Sequence, residues 1–174
     1  MYAACFRFEH AAFFVMDNQI RRAIPDDVPA IHGLMREFAL YEGLLDSLTV
    51  TEEILREVLF GESAFVEALV AEVDGSLGGY AMFYPHFSSF RGQAGYYLED
   101  IYVDSGFRGR RFGERMLREV ARLARERGFV RLDFQVLEWN TSAIEFYKSL
   151  GAELYDEDRH FKFTAGAFER LAAL

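Results

Sequence analysis

The most constraining feature of the sequence is one long amphipathic segment, residues 112–127, that lies between two strand-like segments. Its apolar residues recur every three or four positions, which predicts an α-helix with one buried face. That face consists of Phe112, Met116, Leu117, Val120, Leu123 and Ala124, and Gly128 ends the helix. Segments 95–103 and 130–137 are rich in aromatic and β-branched residues, which favours strands. A helix of this kind buries its apolar face against a sheet, so an α/β fold class is predicted.

The other segments continue this alternation of strands and helices. A capping box of Thr49 and Glu52 predicts the start of a helix that ends at Gly61, and Asn140 predicts the cap of another. We predict strands over residues 19–24, 65–73, 79–84, 95–103, 130–137 and within 153–163, helices from about residue 26, over 49–61, 112–127 and 140–150, and a polar loop over 86–94. This order favours a mixed sheet with helices on both faces.

Length and composition predict one domain in a reducing compartment. The chain has 174 residues, which suits a single domain over 19–174, and residues 1–18 form an N-terminal extension whose place in the native protein stays open. Its one cysteine, Cys5, can form neither an intramolecular disulfide nor a multi-cysteine metal site. No apolar run is long enough for a membrane helix. A cytoplasmic protein is therefore expected, without membrane association.

The acidic balance of the chain excludes one broad class of partner. A formal net charge of -9 argues against unspecific binding to nucleic acid, which needs a cationic surface. An acidic protein suits a cationic partner better.

Residues 108–113, Arg-Gly-Arg-Arg-Phe-Gly, form a basic, glycine-containing turn into the long helix. No Ser, Thr, Asp or Asn directly precedes Phe112, so the first N–H groups of the helix are left for a ligand. Such a helix start is an anion site, although a solvated basic turn explains this segment equally well. The sequence lacks the Lys-Ser/Thr ending of a P-loop and the G-x-G-x-x-G pattern, so neither nucleotide fingerprint applies.

Two further features have a catalytic interpretation. Glu99 and Asp100 are adjacent in an apolar strand, where neighbouring side chains face opposite ways, so at least one carboxylate points to a buried or cleft-lining side. A base or a cation ligand is favoured there over an incidental salt bridge. Tyr147 shares a helix face with Phe146 and Leu150, and from spacing alone it is a core tyrosine.

Taken in order, these segments resemble the GNAT superfamily of acetyl-CoA-dependent N-acetyltransferases, most of all its spermidine/spermine (diamine) acetyltransferase branch. The resemblance covers about residues 19–172. Its main motifs are Leu40-Tyr41-Glu42, Tyr97-Leu98-Glu99-Asp100, Phe107-Arg108-Gly109, Glu138-Trp139-Asn140 and Phe146-Tyr147-Lys148. It implies the GNAT fold, a central, mostly antiparallel mixed sheet with helices on both faces.

The resemblance also implies a reaction and residue roles. Acetyl-CoA would be the cosubstrate, without a metal, and a small primary amine would attack it directly in a ternary complex of a homodimeric enzyme. Tyr147 would protonate the departing thiolate and Glu99 would accept the proton of the amine. Substrate binding would fall to Tyr41, Glu42, Glu99 and Asp100. Cofactor binding would fall to Ile101, Tyr102, Val103, Arg108, Gly109, Arg110, Arg111, Phe112, Gly113, Glu114 and Asn140.

The sequence departs from the family pattern at two places. Arg111 stands where the motif usually has glycine, and Ser88 and Phe90 stand where the polyamine branch has an Asp and a Trp. The loss of one acid disfavours spermidine and spermine and leaves a diamine or a thialysine-like amino acid. Acetylation of a protein N-terminus or lysine, and a non-catalytic acyl-CoA-binding module, stay as alternatives; the presence of Tyr147 and Glu99 counts against the second.

Overall fold

The computed structural model describes residues 18–155 and 161–173, and the chain divides into two compact units between Phe134 and Gln135. The first unit contains strands β1 (Asn18–Arg22), β2 (Glu67–Val73), β3 (Ser76–Ser88), β4 (Gln93–Val103) and β5 (Leu132–Phe134), with helices α1 (Val28–Glu42), α2 (Glu52–Phe60) and α3 (Phe112–Glu126). The second unit contains helices α4 (Thr141–Ser149) and α5 (Ala165–Ala172). Of the expected extension, residues 1–17 lie outside the described residues. That residues 19–174 form one domain stays a prediction.

The five strands form one sheet in the order β1-β2-β3-β4-β5. Neighbours from β1 to β4 are antiparallel, and β5 is parallel to β4. This arrangement confirms the predicted mixed, mostly antiparallel sheet.

Helices cover both faces of this sheet in the first unit. Val70, Tyr80, Met82 and Tyr102 pack with residues of α1 and α2 in one buried cluster. The amphipathic face of α3 is buried as predicted, and Met116 of α3 lies against Gly79, whose neighbour Tyr80 faces the α1 side. Since adjacent strand residues face opposite ways, α3 covers the other face. The core thus lies in two layers around the strands that position the candidate site.

Several predicted boundaries are wrong, each for a local reason. Helix α2 is capped by Thr51, whose Oγ1 accepts from the Ile54 N–H at 3.3 Å, and not by Thr49. The predicted loop over residues 86–94 is shorter in the structure: 86–88 and 93–94 are strand, because β3 and β4 stay paired up to the partners Ser88 and Gln93, and the turn occupies 89–92. The polar residues there occupy a hairpin that projects beyond the core, where polarity does not distinguish a strand from a loop.

The second unit also differs from expectation. Asn140 caps α4 as predicted. Residues 153–155 and 161–163 contain no strand, residues 156–160 lie outside the described part, and α5 was not predicted. In the described part of the chain, no helix has both the length and the apolar character to cross a membrane.

Candidate active site

Glu99 and Asp100 lie at a β-bulge in β4. In the register with β3, Met82 pairs with Asp100 and Phe83 with Leu98, so Glu99 is an extra residue between two paired positions. A bulge of this kind interrupts the alternation of side chains along a strand and bends the strand locally. The bulge therefore decides where the two carboxylates point.

Two tyrosines of β3 identify the face to which they point. Tyr80 and Tyr84 are four residues apart on the strand, so they share the face that packs against α1 and α2. The Tyr80 hydroxyl donates to Asp100 Oδ2 at 3.2 Å, and the Tyr84 hydroxyl donates to Glu99 Oε2 at 3.3 Å. Both carboxylates lie on this face, and the expectation that they face opposite ways is wrong because of the bulge.

We call this side of the sheet, with Glu99, Asp100 and the nearby Glu42 of α1, the acidic face, and ionisation of Asp100 and Glu42 there is unfavourable. Burial, and then the charge of Glu99, raises the pKa of Asp100 to about 6, and Glu42 adds to this while the Tyr80 hydrogen bond opposes it. Burial also raises the pKa of Glu42. Because unneutralised carboxylates repel one another in a partly buried site, the face suits a bound cation or a proton.

The two tyrosines keep their protons at neutral pH and so act as donors to this face. Burial, and then the charge of Asp100, raises the pKa of Tyr80 well above its ordinary value. Burial, and then the charge of Glu99, raises the pKa of Tyr84 to about 12. Sequence reasoning missed both residues. Their i, i+4 spacing on a strand that pairs with the Glu99-Asp100 strand is the signal that could have found them.

The C-terminal end of α1 connects the acidic face with the basic turn. Tyr41 and Glu42 are the last residues of α1, which ends at Gly43 in the left-handed conformation with φ 71°. The charge of Glu42 acts on both Asp100 and Tyr80, and the guanidinium carbon of Arg108 lies 5.6 Å from the centroid of the Tyr41 ring. The structure thus brings together all four residues expected to bind substrate, beside the turn expected to bind the cofactor.

The turn before α3 presents its main chain at the start of the helix. Gly109 and Arg111 both have left-handed backbone conformations, with φ of 78° and 59°. Arg111 is the N-cap residue of α3, and its side chain makes no capping hydrogen bond. The Arg115 N–H makes a helical bond to the Arg111 carbonyl at 3.0 Å, so the N–H groups of residues 112–114 precede the helical ladder. This start can hold an anion through main-chain donors.

The arginine side chains of the turn bind neighbouring groups of the protein. Arg111 donates from Nε and Nη2 to Glu114 at 2.9 Å in each case, and Arg118 also donates to Glu114 at 2.9 Å. These contacts, led by Arg118, lower the pKa of Glu114. The guanidinium of Arg110 lies 5.8 Å from the Phe107 ring centroid. Arg111 thus combines a left-handed backbone, the conformation that glycine adopts most readily, with a side chain that neutralises Glu114.

The ladder between β4 and β5 is short. It consists of the pairs Tyr96–Leu132, Tyr97–Asp133 and Leu98–Phe134, so pairing between these two strands ends at the bulge. Residues 101–103 pair with β3 on their other side. Tyr102 is only 8% exposed, and its ring stacks on that of Phe38 with centroids 5.4 Å apart. Because this side chain is buried in the core, residues 101–103 would bind a ligand through their main-chain groups.

Asn140 and Tyr147 lie in the second unit. Asn140 Oδ1 accepts from the Ala143 N–H at 3.2 Å and from the Ser142 hydroxyl at 3.1 Å, so its oxygen is engaged in the cap. Its amide NH₂ is the group with which it would bind a ligand. Tyr147 is half-buried on α4, with its ring 5.3 Å from that of Phe146. The expected roles of Asn140 and Tyr147 stay predictions.

In the described residues no three His, Cys, Asp or Glu side chains form a group that could hold a metal.

Comparison with known proteins matches residues 35–152 to the Acetyltransferase (GNAT) family. Thialysine N-epsilon-acetyltransferase of Bos taurus is 38% identical over 170 residues, which cover 91% of this chain and 98% of that protein. Spermidine/spermine N(1)-acetyltransferase-like protein 1 of Homo sapiens is 35% identical over 141 residues, which cover 77% of this chain and 20% of that protein. The chain therefore spans nearly all of the first relative and a small part of the second.

A solved structure agrees with the fold. An integron cassette protein from the mobile metagenome of V. cholerae superposes with a TM-score of 0.75 at 25% identity, covering 90% of this chain and 98% of that one. The resemblance drawn from the motifs and the predicted fold class are both confirmed by these matches.

Proposed function

Because the chain belongs to the acetyltransferase (GNAT) family and is an N-acetyltransferase, we propose that it acetylates a primary amine of a small cationic molecule. The acceptor would be a diamine, a polyamine or a thialysine-like amino acid. Membership of the family implies acetyl-CoA as the cosubstrate. The reaction is direct attack of the amine in a ternary complex.

One observation supports this proposal above all others. Glu42, Glu99 and Asp100 interact on one sheet face, and the Arg108–Tyr41 contact links that face to an uncapped helix start. An alkyl ammonium ion is attracted by such carboxylates, and the helix start suits the phosphates of coenzyme A. This arrangement supports a cation site and an anionic cosubstrate site side by side in the first unit.

The carboxylates also provide a base for deprotonating the acceptor amine. An alkyl amine has a pKa near ~10, so at neutral pH it is protonated and has no free electron pair. In the proposed mechanism Glu99 accepts this proton, directly or through water, while Asp100 and Glu42 hold the cation in place. Tyr84 keeps Glu99 in position through its hydrogen bond. The freed electron pair then attacks the thioester carbon.

The remaining roles concern the activated acetyl group and its departure. Acetyl-CoA supplies the acetyl group as a thioester. The main chain of residues 109–114 binds its phosphates, the main chain of residues 101–103 binds its extended arm, and the Asn140 amide adds a hydrogen bond. The bond between the carbonyl carbon and sulfur then breaks while Tyr147 donates its phenolic proton to the leaving sulfur. The second proton that the amine nitrogen loses as the amide forms restores the Tyr147 phenol. The products are an N-acetyl amine and free coenzyme A.

The test is an acetyl-transfer assay with acetyl-CoA and a panel of short diamines, spermine, lysine-like amino acids and an N-terminal peptide. We expect transfer to a short diamine or an amino acid, with spermine not preferred because Ser88 stands in place of an acid. Glu99→Gln should lose ~10²-fold or more of kcat/KM, while the exposed Glu62→Gln should retain parental activity. Transfer to the peptide alone, or to no acceptor, would contradict the proposal.

We further propose that the enzyme is a cytoplasmic homodimer. The support is the resemblance to a dimerising family branch and the single cysteine, which suits a reducing compartment. A monomeric mass by light scattering at micromolar concentration would contradict the dimer.

A further inference from the structure

A cluster of three polar side chains joins strands β3 and β5 across β4, and we call its members, His86, Arg131 and Asp133, the His86 cluster. His86 Nε2 lies 2.5 Å from Asp133 Oδ2. Arg131 donates to the same carboxylate from Nε at 2.7 Å and from Nη2 at 2.6 Å. Gly95, the β4 partner of His86, makes room for this arrangement, because a Cβ there would collide with the Arg131 stem.

Two tyrosine rings connect the His86 cluster with the acidic face on the same side of the sheet. The Tyr84 hydroxyl donates to Glu99 Oε2, and the Tyr84 ring stacks on that of Tyr97 with centroids 5.4 Å apart. The Tyr97 ring in turn meets the His86 ring edge to face at 6.2 Å, and Tyr97 is the register partner of Asp133. A row of contacts therefore runs from Glu99 over both rings to the cluster without leaving this face.

This row is accessible and has the length of a small acceptor. Glu99 is exposed, Tyr84 and Tyr97 are half-buried, and the side chains of His86 and Asp133 are 25% and 32% exposed. A rise of ~3.3 Å for each residue and a strand spacing of ~4.8 Å place the backbone positions of Glu99 and Asp133 ~8 Å apart. An extended lysine-like amino acid spans ~7 to 8 Å between its two nitrogens. One such molecule can therefore reach both ends of the row.

The His86 cluster offers opposite charges side by side. Burial alone would raise the pKa of Asp133, but hydrogen bonds and charge contacts, first with Arg131 and then with His86, outweigh burial and lower the pKa. An ionised carboxylate thus lies against a guanidinium, and the two charges balance. Such a pair does not favour a lone ammonium group as the acidic face does, and it suits a group that carries both charges.

We propose that the His86 cluster binds the zwitterionic head of an amino-acid acceptor, with Arg131 and Asp133 as the specificity-determining residues. The inference rests on the proposed function and deepens it: the ω-amine lies on the acidic face, and the methylene stem packs along the two tyrosine rings. The α-carboxylate pairs with Arg131 and the α-ammonium with Asp133, so four charges of alternating sign meet. A diamine brings a second ammonium to a guanidinium and lacks the matching carboxylate. The amino acid is therefore the preferred acceptor.

The test uses L-lysine and two analogues that each lack one charge of the head: 6-aminohexanoate, without the α-ammonium, and 1,5-diaminopentane, without the carboxylate. We expect the parent to have its lowest KM for L-lysine. Arg131→Gln should raise KM about tenfold for L-lysine and 6-aminohexanoate, the acceptors with a carboxylate, and should leave KM for the diamine equal or lower. Asp133→Asn should raise KM for L-lysine and the diamine and should spare 6-aminohexanoate. Equal effects of each variant on all three acceptors would overturn the inference.

Matched controls separate recognition from a general loss of charge. Arg125 is exposed on α3, which covers the other face, and Asp74 is exposed in the turn between β2 and β3. Arg125→Gln and Asp74→Asn should leave all three KM values unchanged. Where Arg131→Gln folds poorly, Asp133→Asn, which has nearly the parental shape, decides alone.

The parent enzyme distinguishes the two levels of the proposal. A parent that acetylates none of the three acceptors overturns the proposed function as well. A parent that acetylates all three with equal KM overturns the inference about the His86 cluster alone.

Discussion

Replacing Asp100 by asparagine should stabilise the protein in the absence of substrate. Asp100 is half-buried, and burial together with the charges of Glu99 and Glu42 makes its ionised form unfavourable in the folded state. Asparagine has nearly the same shape and still accepts a hydrogen bond from Tyr80, but it brings no charge. The substitution therefore removes a cost of folding while leaving the packing in place.

The size and sign of the effect follow from the pKa. Folding raises the pKa of Asp100 from 3.8 to about 6, and at ~1.36 kcal/mol for each pH unit this corresponds to about 3 kcal/mol. Below about pH 4 the residue is protonated in both states, so parent and variant should be about equally stable. Between about pH 4 and about pH 6 the unfolded chain is ionised at this residue while the folded parent still holds the proton, so the parent loses stability relative to the variant. Above about pH 6 the advantage of the variant is complete and stays constant.

Urea unfolding of parent and Asp100→Asn, measured between about pH 4 and about pH 8, tests this reasoning. Asp46→Asn, at an exposed position, is the control for a charge loss without burial and should change stability by less than ~0.5 kcal/mol. A variant that is less stable than the parent at about pH 8, or a stability difference that does not vary with pH, would refute the account of the acidic face.

Three further results are expected. Tyr147→Phe should lower kcat by ~10²- to 10⁴-fold with little effect on the Kd for acetyl-CoA, and turnover within about twofold of the parent would make Tyr147 a core residue. Gly113→Asp should raise the Kd for acetyl-CoA at least tenfold by calorimetry in a folded protein, because a carboxylate would oppose the phosphates; unchanged affinity would contradict the anion site. Arg111→Gly should be more stable to thermal unfolding than Arg111→Ala by ~1 kcal/mol, since glycine relieves the left-handed backbone. The same pair at Arg110, whose φ is not positive, should show the opposite order.

Local patterns were enough to predict α3 and the N-cap of α4. The buried residues of α3 from Phe112 to Ala124 recur at helical spacing, and Gly128 follows the helix with a left-handed backbone, so both signals are local to the sequence. The Asn140 cap is equally local, because the oxygen that accepts the Ala143 N–H is three residues away.

Features that depend on partners distant in sequence were not predictable in this way. The extra residue at Glu99 exists only relative to the register with Met82 and Phe83, so nothing in the neighbouring sequence distinguishes it from regular strand. The ion pair between Arg127 and Glu67 likewise joins, at 2.7 Å, two residues that lie far apart in the sequence. The acidic residues could be named from the sequence, but their common face could not.

The bulge at Glu99 makes this strand tolerant of a change that a regular strand does not tolerate. Deleting one residue from a regular strand turns every following side chain to the opposite face. Here the deletion of Glu99 would place Leu98 directly before Asp100, and both would keep their present partners, Phe83 and Met82, in an unbroken pleat. Loss of a single codon would thus remove one acid of the site and leave the sheet intact. We expect such a deletion protein to keep its far-ultraviolet circular dichroism and its affinity for acetyl-CoA, and loss of either would show that the bulge also supports the fold.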